Sequence, residues 1–95
     1  MGVEELRLEL VEIINNLASK GFENIDPGTS GRLDALANKA GEIGMNEGKR
    51  LINNLSGAIK TIKEGKTRVE SAKVRLTALE FYVQNLAISE TTEDL

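Results

Sequence analysis

The sequence predicts an all-α domain, an up-and-down antiparallel four-helix bundle. Apolar residues recur at steps of three and four along four separate stretches, the signature of helices with one buried side. Each stretch is closed by a glycine or adjoins a helix-start signal. The links Gly44-Met45 and Gly65-Lys66 are so short that the helices they join must run antiparallel. The four helices are expected at about 3–20, 30–43, 46–64 and 67–88, forming a single domain over 1–88 followed by a disordered acidic tail at 89–95.

In the first helix Val3, Leu6, Leu10, Ile13, Ile14 and Leu17 share one arc while Glu5, Glu9, Glu12 and Asn16 fall elsewhere. Glu4 and Glu5 suit the positive end of the helix and Lys20 its negative end. Gly21 is expected in the left-handed conformation that ends a helix, with Phe22 folded back over the last turn. Asp26-Pro27-Gly28 is turn chemistry, Pro27 fixing φ and Gly28 offering a positive φ.

A shorter second helix carries Leu33, Leu36, Ala37, Ala40 and Ile43, with Thr29 or Ser30 as its cap. Small residues on that stripe imply close contact with a neighbour. The third helix, capped by Asn46, has the cleanest stripe, Leu51, Ile52, Leu55, Ala58, Ile59 and Ile62, opposed by Lys49, Asn53, Ser56 and Lys60. Gly48 and Gly57 are each expected to weaken it by about 1 kcal/mol relative to alanine. After Gly65, Thr67-Arg68-Val69-Glu70 matches a capping box that would open the fourth helix at Thr67.

The fourth helix carries two apolar lines. Val69, Ala72, Leu76, Leu79, Val83 and Leu86 form one; Val74, Ala78, Phe81 and Ile88 point nearly the opposite way. Either helices one and two embrace it from both sides, or the second line meets another chain, and self-association is the favoured expectation.

The chain has 95 residues, enough for one hydrophobic core but not two. With 3% aromatic residues that core must be built from Leu, Ile, Val and Ala. Cysteine and histidine are both absent, which removes disulfides, Cys–His and Ser–His nucleophile activation, the usual zinc sites and haem or iron–sulfur ligation. In outline a small four-helix architecture resembles histidine phosphotransfer domains, and the lack of histidine removes their phosphate relay. No catalytic residues, cofactor or metal are therefore expected, and the chain is not expected to be an enzyme. Without a basic leader segment or an apolar run near the roughly 18 residues of a membrane span, a cytoplasmic location is expected.

Other motifs have bland readings that account for them. Gly65-Lys66-Thr67 ends like a phosphate-binding loop, but Lys60 stands where the first glycine belongs and a helix precedes it in place of a strand. Glu5, Glu9 and Glu12 share a helix side and could collect a cation, though a solvated acidic face is far commoner. Asn54-Leu55-Ser56 fits a glycosylation sequon but lies mid-helix. Gly41, Gly44 and Gly48 mark the corner between helices two and three.

The charge layout is the feature most closely tied to function. Between Lys49 and Arg75 lie eight basic residues against Glu64 and Glu70 alone, whereas the rest of the chain has four basic residues and thirteen acids. Lys60, Lys63, Lys66 and Arg68 form a candidate anion-binding patch at the turn between helices three and four. Against nucleic acid stand a net charge of −3, a pI near 5.0 and no aromatics among those cations. The reading is a small non-catalytic protein-interaction or regulatory module, self-associating as a dimer through Val74, Ala78, Phe81 and Ile88. Nucleic-acid or phosphate binding at the basic turn is the alternative.

Overall fold

The computed structural model describes residues 2–93, and their side chains except those of Asn24 and of 87–93. Four helices run in sequence: α1 (Val3–Lys20), α2 (Thr29–Glu42), α3 (Asn46–Lys63) and α4 (Val69–Glu93), with one turn of 3-10 helix at Phe22–Asn24. There is no strand among the described residues. The helices close a ring, α1 against α2 and α4, α3 against α2 and α4, the up-and-down bundle that the short links require. The α2–α3 and α3–α4 faces are the broadest and α1 packs more lightly on its two neighbours.

The apolar stripes are the core. Leu6, Leu10, Ile13, Ile14 and Leu17 of α1 meet Leu33, Leu36, Ala37 and Ala40 of α2, Ile52, Leu55, Ala58 and Ile59 of α3, and Ala72, Leu76, Leu79 and Val83 of α4 in one buried cluster. Phe22 closes it at the end of α1, folded inward as its position after the helix stop predicts. All but this one of the clustered side chains are aliphatic, so the core relies on interdigitated shape rather than on ring contacts.

The helix starts differ from expectation in a consistent way, since no side-chain cap bond forms at α1, α2 or α3. Neither Thr29 nor Ser30 caps α2: Gly28 is the N-cap and no side chain bonds the helix start. Gly28 lies at φ −84°, ψ −4°, the third position of a type I turn closed by Thr29 N–H to the Asp26 carbonyl at 3.1 Å. It needs no positive φ, and the turn leads straight into the helix. Asn46 is likewise the first residue of α3 and not its cap, because Met45 takes that place. The capping box at Thr67 does not open α4 either. The helix begins at Val69, so Thr67 stands too early, and its hydroxyl is shared with that of Thr61 on α3.

Both turns flanking α3 are Schellman motifs. Gly44 (φ 82°) donates to Gly41 and Met45 N–H to the Ala40 carbonyl at 2.8 Å; Gly65 (φ 75°) donates to Ile62 and Lys66 N–H to the Thr61 carbonyl at 2.9 Å. The Gly65-Lys66-Thr67 segment is thereby a helix stop, not a phosphate loop. Gly21 is not left-handed in the usual sense: at φ 75°, ψ 173° it combines a positive φ with an extended ψ, while its N–H completes the last α1 bond to Leu17.

At its other end α4 continues to Glu93, past the stop expected near Ile88. Residues 89–93 contain no glycine or proline to interrupt the ladder of hydrogen bonds. Residues 94–95 of the expected acidic tail lie outside the described residues.

Candidate functional site

The two apolar lines of α4 have opposite fates. Ala72, Leu76, Leu79 and Val83 are buried, and Val69 and Leu86 partly so. On the outer line Val74 is 68% exposed and Phe81 64%, with Ala78 exposed between them. The embrace of α4 by helices one and two from both sides does not occur: α4 packs against α3 and α1, and its outer line stays exposed. The fourth expected member of the line, Ile88, has a side chain outside the described residues.

Charged and polar groups border this line. Lys73, Arg75, Glu70 and Glu80 are exposed; the Arg75 guanidinium donates to the Ser71 carbonyl at 3.4 Å, and the Gln84 amide to Glu80 at 3.4 Å. Toward α1 the surface dips into a groove of about 190 Å³ floored by Val11, Ile14 and Val83 and edged by Asn15, Glu80 and Gln84. Leu8 on α1, 54% exposed, is the remaining large apolar side chain in the open among the described residues.

The chain matches no protein-family model, no curated protein and no solved structure. What it does must be read from its own surface.

The basic turn is partly neutralised. Lys60 reaches Asp34 on α2 at 2.7 Å and Lys66 reaches Glu64 at 3.5 Å. Lys63 and Arg68 are exposed without a carboxylate at ion-pair distance among the described residues. The four residues therefore offer two uncommitted cations; of the others, Lys60 pairs across to α2 and Lys66 pairs within its own turn.

A second cavity, about 100 Å³, lies where α1 ends and α2 begins, lined in part by Ile13, Leu17, Lys20, Thr29 and Arg32. Its two cations also face carboxylates, Lys20 with Asp26 at 3.9 Å and Arg32 with Glu12 at 3.8 Å. Glu12 is thus drawn towards α2, and among the described residues no three acidic side chains converge as a metal would need.

Two structural clusters escape the apolar pattern. Ser56, assigned to the polar side of α3, is 1% exposed. It donates to Asp34 Oδ1 at 2.6 Å and to the Ser30 carbonyl at 3.2 Å, and Lys60 holds Asp34 Oδ2. The hydrogen bond from Lys60, then that from Ser56, keep the Asp34 carboxyl below its ordinary 3.8, against a smaller upward push from burial. The available signal was spacing: position 56 lies four after Ile52 and three before Ile59, on the edge of the buried arc.

The other cluster joins Tyr82 to Gly48. A Cβ on Gly48 would come 3.0 Å from Cε1 of the ring and 3.1 Å from its hydroxyl oxygen. Burial pushes the phenol above its ordinary 10.0, the Gly48 backbone partly offsets this, and Glu47 adds to it. The missing side chain at Gly48 leaves room for the Tyr82 ring of α4 against the first turn of α3, which explains the glycine better than a corner does.

Proposed function

We propose that this chain is a small protein-interaction module that self-associates through the outer line of α4, with no reaction assigned to it. One observation carries the reading: two large apolar side chains, Val74 and Phe81, stand more than three-fifths exposed on the same line of one helix. Single exposed apolar residues are ordinary; two at i, i+7 with Ala78 between them form a seam of the kind that pairs helices.

Covering Val74 and Phe81 on both copies contributes on the order of 4 to 8 kcal/mol by area. Association costs about 4 kcal/mol or more in lost freedom of motion. The pairing supported is therefore weak and concentration-dependent, in keeping with a regulatory contact. The absence of cysteine fits a reducing compartment, and the cytoplasm is the location proposed.

Phosphate or nucleic-acid binding at Lys60, Lys63, Lys66 and Arg68 draws less support, because Asp34 and Glu64 already occupy two of the four cations. Sedimentation equilibrium up to about 1 mM tests the main reading, a range that covers weak association. A monomer-to-dimer shift that Phe81→Glu abolishes supports it. A wild-type chain that stays monomeric throughout overturns it.

A further inference from the structure

α4 has 25 residues, about 37 Å of helix, and Phe81 stands at its midpoint with twelve residues to either side. The large apolar side chain of the outer line thus occupies the one position that a two-fold axis could cross while pairing α4 along its whole length with itself. The charges along the helix and the link that precedes it are split about the same point. From Lys66 to Glu80 there are four cations, Lys66, Arg68, Lys73 and Arg75, against Glu70 and Glu80. From Tyr82 to Glu93 there are two acids, Glu90 and Glu93, and no cation. A parallel pair would set like charge beside like along its length. An antiparallel pair sets each basic half beside an acidic half.

Resting on the self-association proposed above, we infer that the occupant of the outer face is a second copy of this chain, its α4 antiparallel to the first, with Phe81 against Phe81 at the axis. Val74 of one copy then lies level with position 88 of the other, and Lys73 with positions 89–90. The apolar seam supplies the attraction and the charge split sets the orientation, since exposed ion pairs choose between arrangements more effectively than they hold them together. Such a two-fold contact uses the same patch on both copies and closes on itself, so it does not extend into open filaments.

The absence of cysteine makes site-directed crosslinking clean. V74C and I88C proteins, mixed and mildly oxidised, are expected to form a disulfide-linked heterodimer, whereas V74C alone is not, because its two sulfurs would lie about 21 Å apart along the pair. Self-linking of V74C, or no link in the mixture while sedimentation still shows a dimer, overturns the antiparallel arrangement and leaves self-association standing. A wild-type chain that is monomeric throughout overturns both. Charge reversal gives a second readout without cysteine. K73E and E90K are each expected to weaken the dimer several-fold, and the double variant to return to within about twofold of wild type. Failure of the double variant to recover overturns the register. F81E is expected to weaken association about thirtyfold or more, the loss typical of a central aromatic anchor.

Discussion

The buried hydroxyl of Ser56 on α3 donates to the Asp34 carboxylate on α2 at 2.6 Å. Two helices are thereby tied across their interface by a charged acceptor and a donor with no access to water, with Lys60 closing the other oxygen from outside. The bond that matters for stability is the inner one. Hydrogen bonds to charged groups contribute about 1.5 to 3 kcal/mol, whereas an exposed ion pair contributes about 0 to 1.

Ser56→Ala is therefore expected to destabilise the bundle by about 1 to 2 kcal/mol, and Lys60→Gln by less than about 0.5. For a domain of this size each kcal/mol lowers the melting temperature by roughly 4 to 8 °C. Thermal melts of the two variants side by side check the ranking. An equal or larger loss for Lys60→Gln would show that the outer ion pair, not the buried hydroxyl, ties α2 to α3.

Acid should weaken the fold partly through the same group. Lys60 and Ser56 hold the Asp34 carboxyl below 3.8, so the native state releases this proton more readily than the unfolded chain. The stabilisation is fully present above the ordinary value and is lost as the pH falls from about 4 through the lower native value. With 45% of the Asp34 side chain exposed, solvent screens the effect to less than about 1 kcal/mol. Urea melts between neutral pH and pH 3 are expected to show a shallower loss of stability in Asp34→Asn than in wild type.

Alkali acts through Tyr82 with the opposite sign. Burial raises the native phenol above 10.0, so the unfolded chain ionises first, and stability declines as the pH climbs from that value through the native one. With one tyrosine and no tryptophan in the chain, tyrosinate absorbance follows this group alone. Its midpoint is expected above that of the urea-unfolded chain; equal midpoints would remove the packing of Tyr82 onto Gly48.

Two glycines in one helix make a direct comparison. Around Gly57 there is nothing within 4 Å of an added Cβ, so Gly57→Ala is expected to stabilise by roughly 0.5 to 1 kcal/mol through helix propensity. At Gly48 the same methyl would press on the Tyr82 ring at 3.0 Å. There the gain is cancelled or reversed, and equilibrium unfolding should give the two alanine variants different signs.

The four helices and their inward stripes were legible because burial imposes a 3.6-residue period that nothing else in the chain imitates. Leu6 to Leu17, Ile52 to Ile59 and Ala72 to Val83 all lie where that period puts them. The caps were not legible. Thr29, Ser30, Asn46 and Thr67 are residues that cap helices elsewhere, yet each sits one or more positions away from the cap, because the preceding turn fixes where the helical backbone begins. Ser56 and Gly48 were misread for a related reason. Hydropathy treats a serine at the edge of a stripe as surface and a glycine near a helix start as a corner, and only the partner brought by the fold, Asp34 or Tyr82, shows each to be interior. The outer line of α4 was visible as a pattern, and the structure adds that no helix of the same chain covers Val74 or Phe81.

The two Schellman turns flanking α3 leave the neighbouring side chains with little architectural duty. Since Gly44 and Gly65 close their helices through the main chain, Asn46, Lys66 and Arg68 can be exchanged through many generations without loosening the scaffold. The corners of this bundle are accordingly where its lineage has the greatest latitude to diversify what it presents, provided those two glycines are kept.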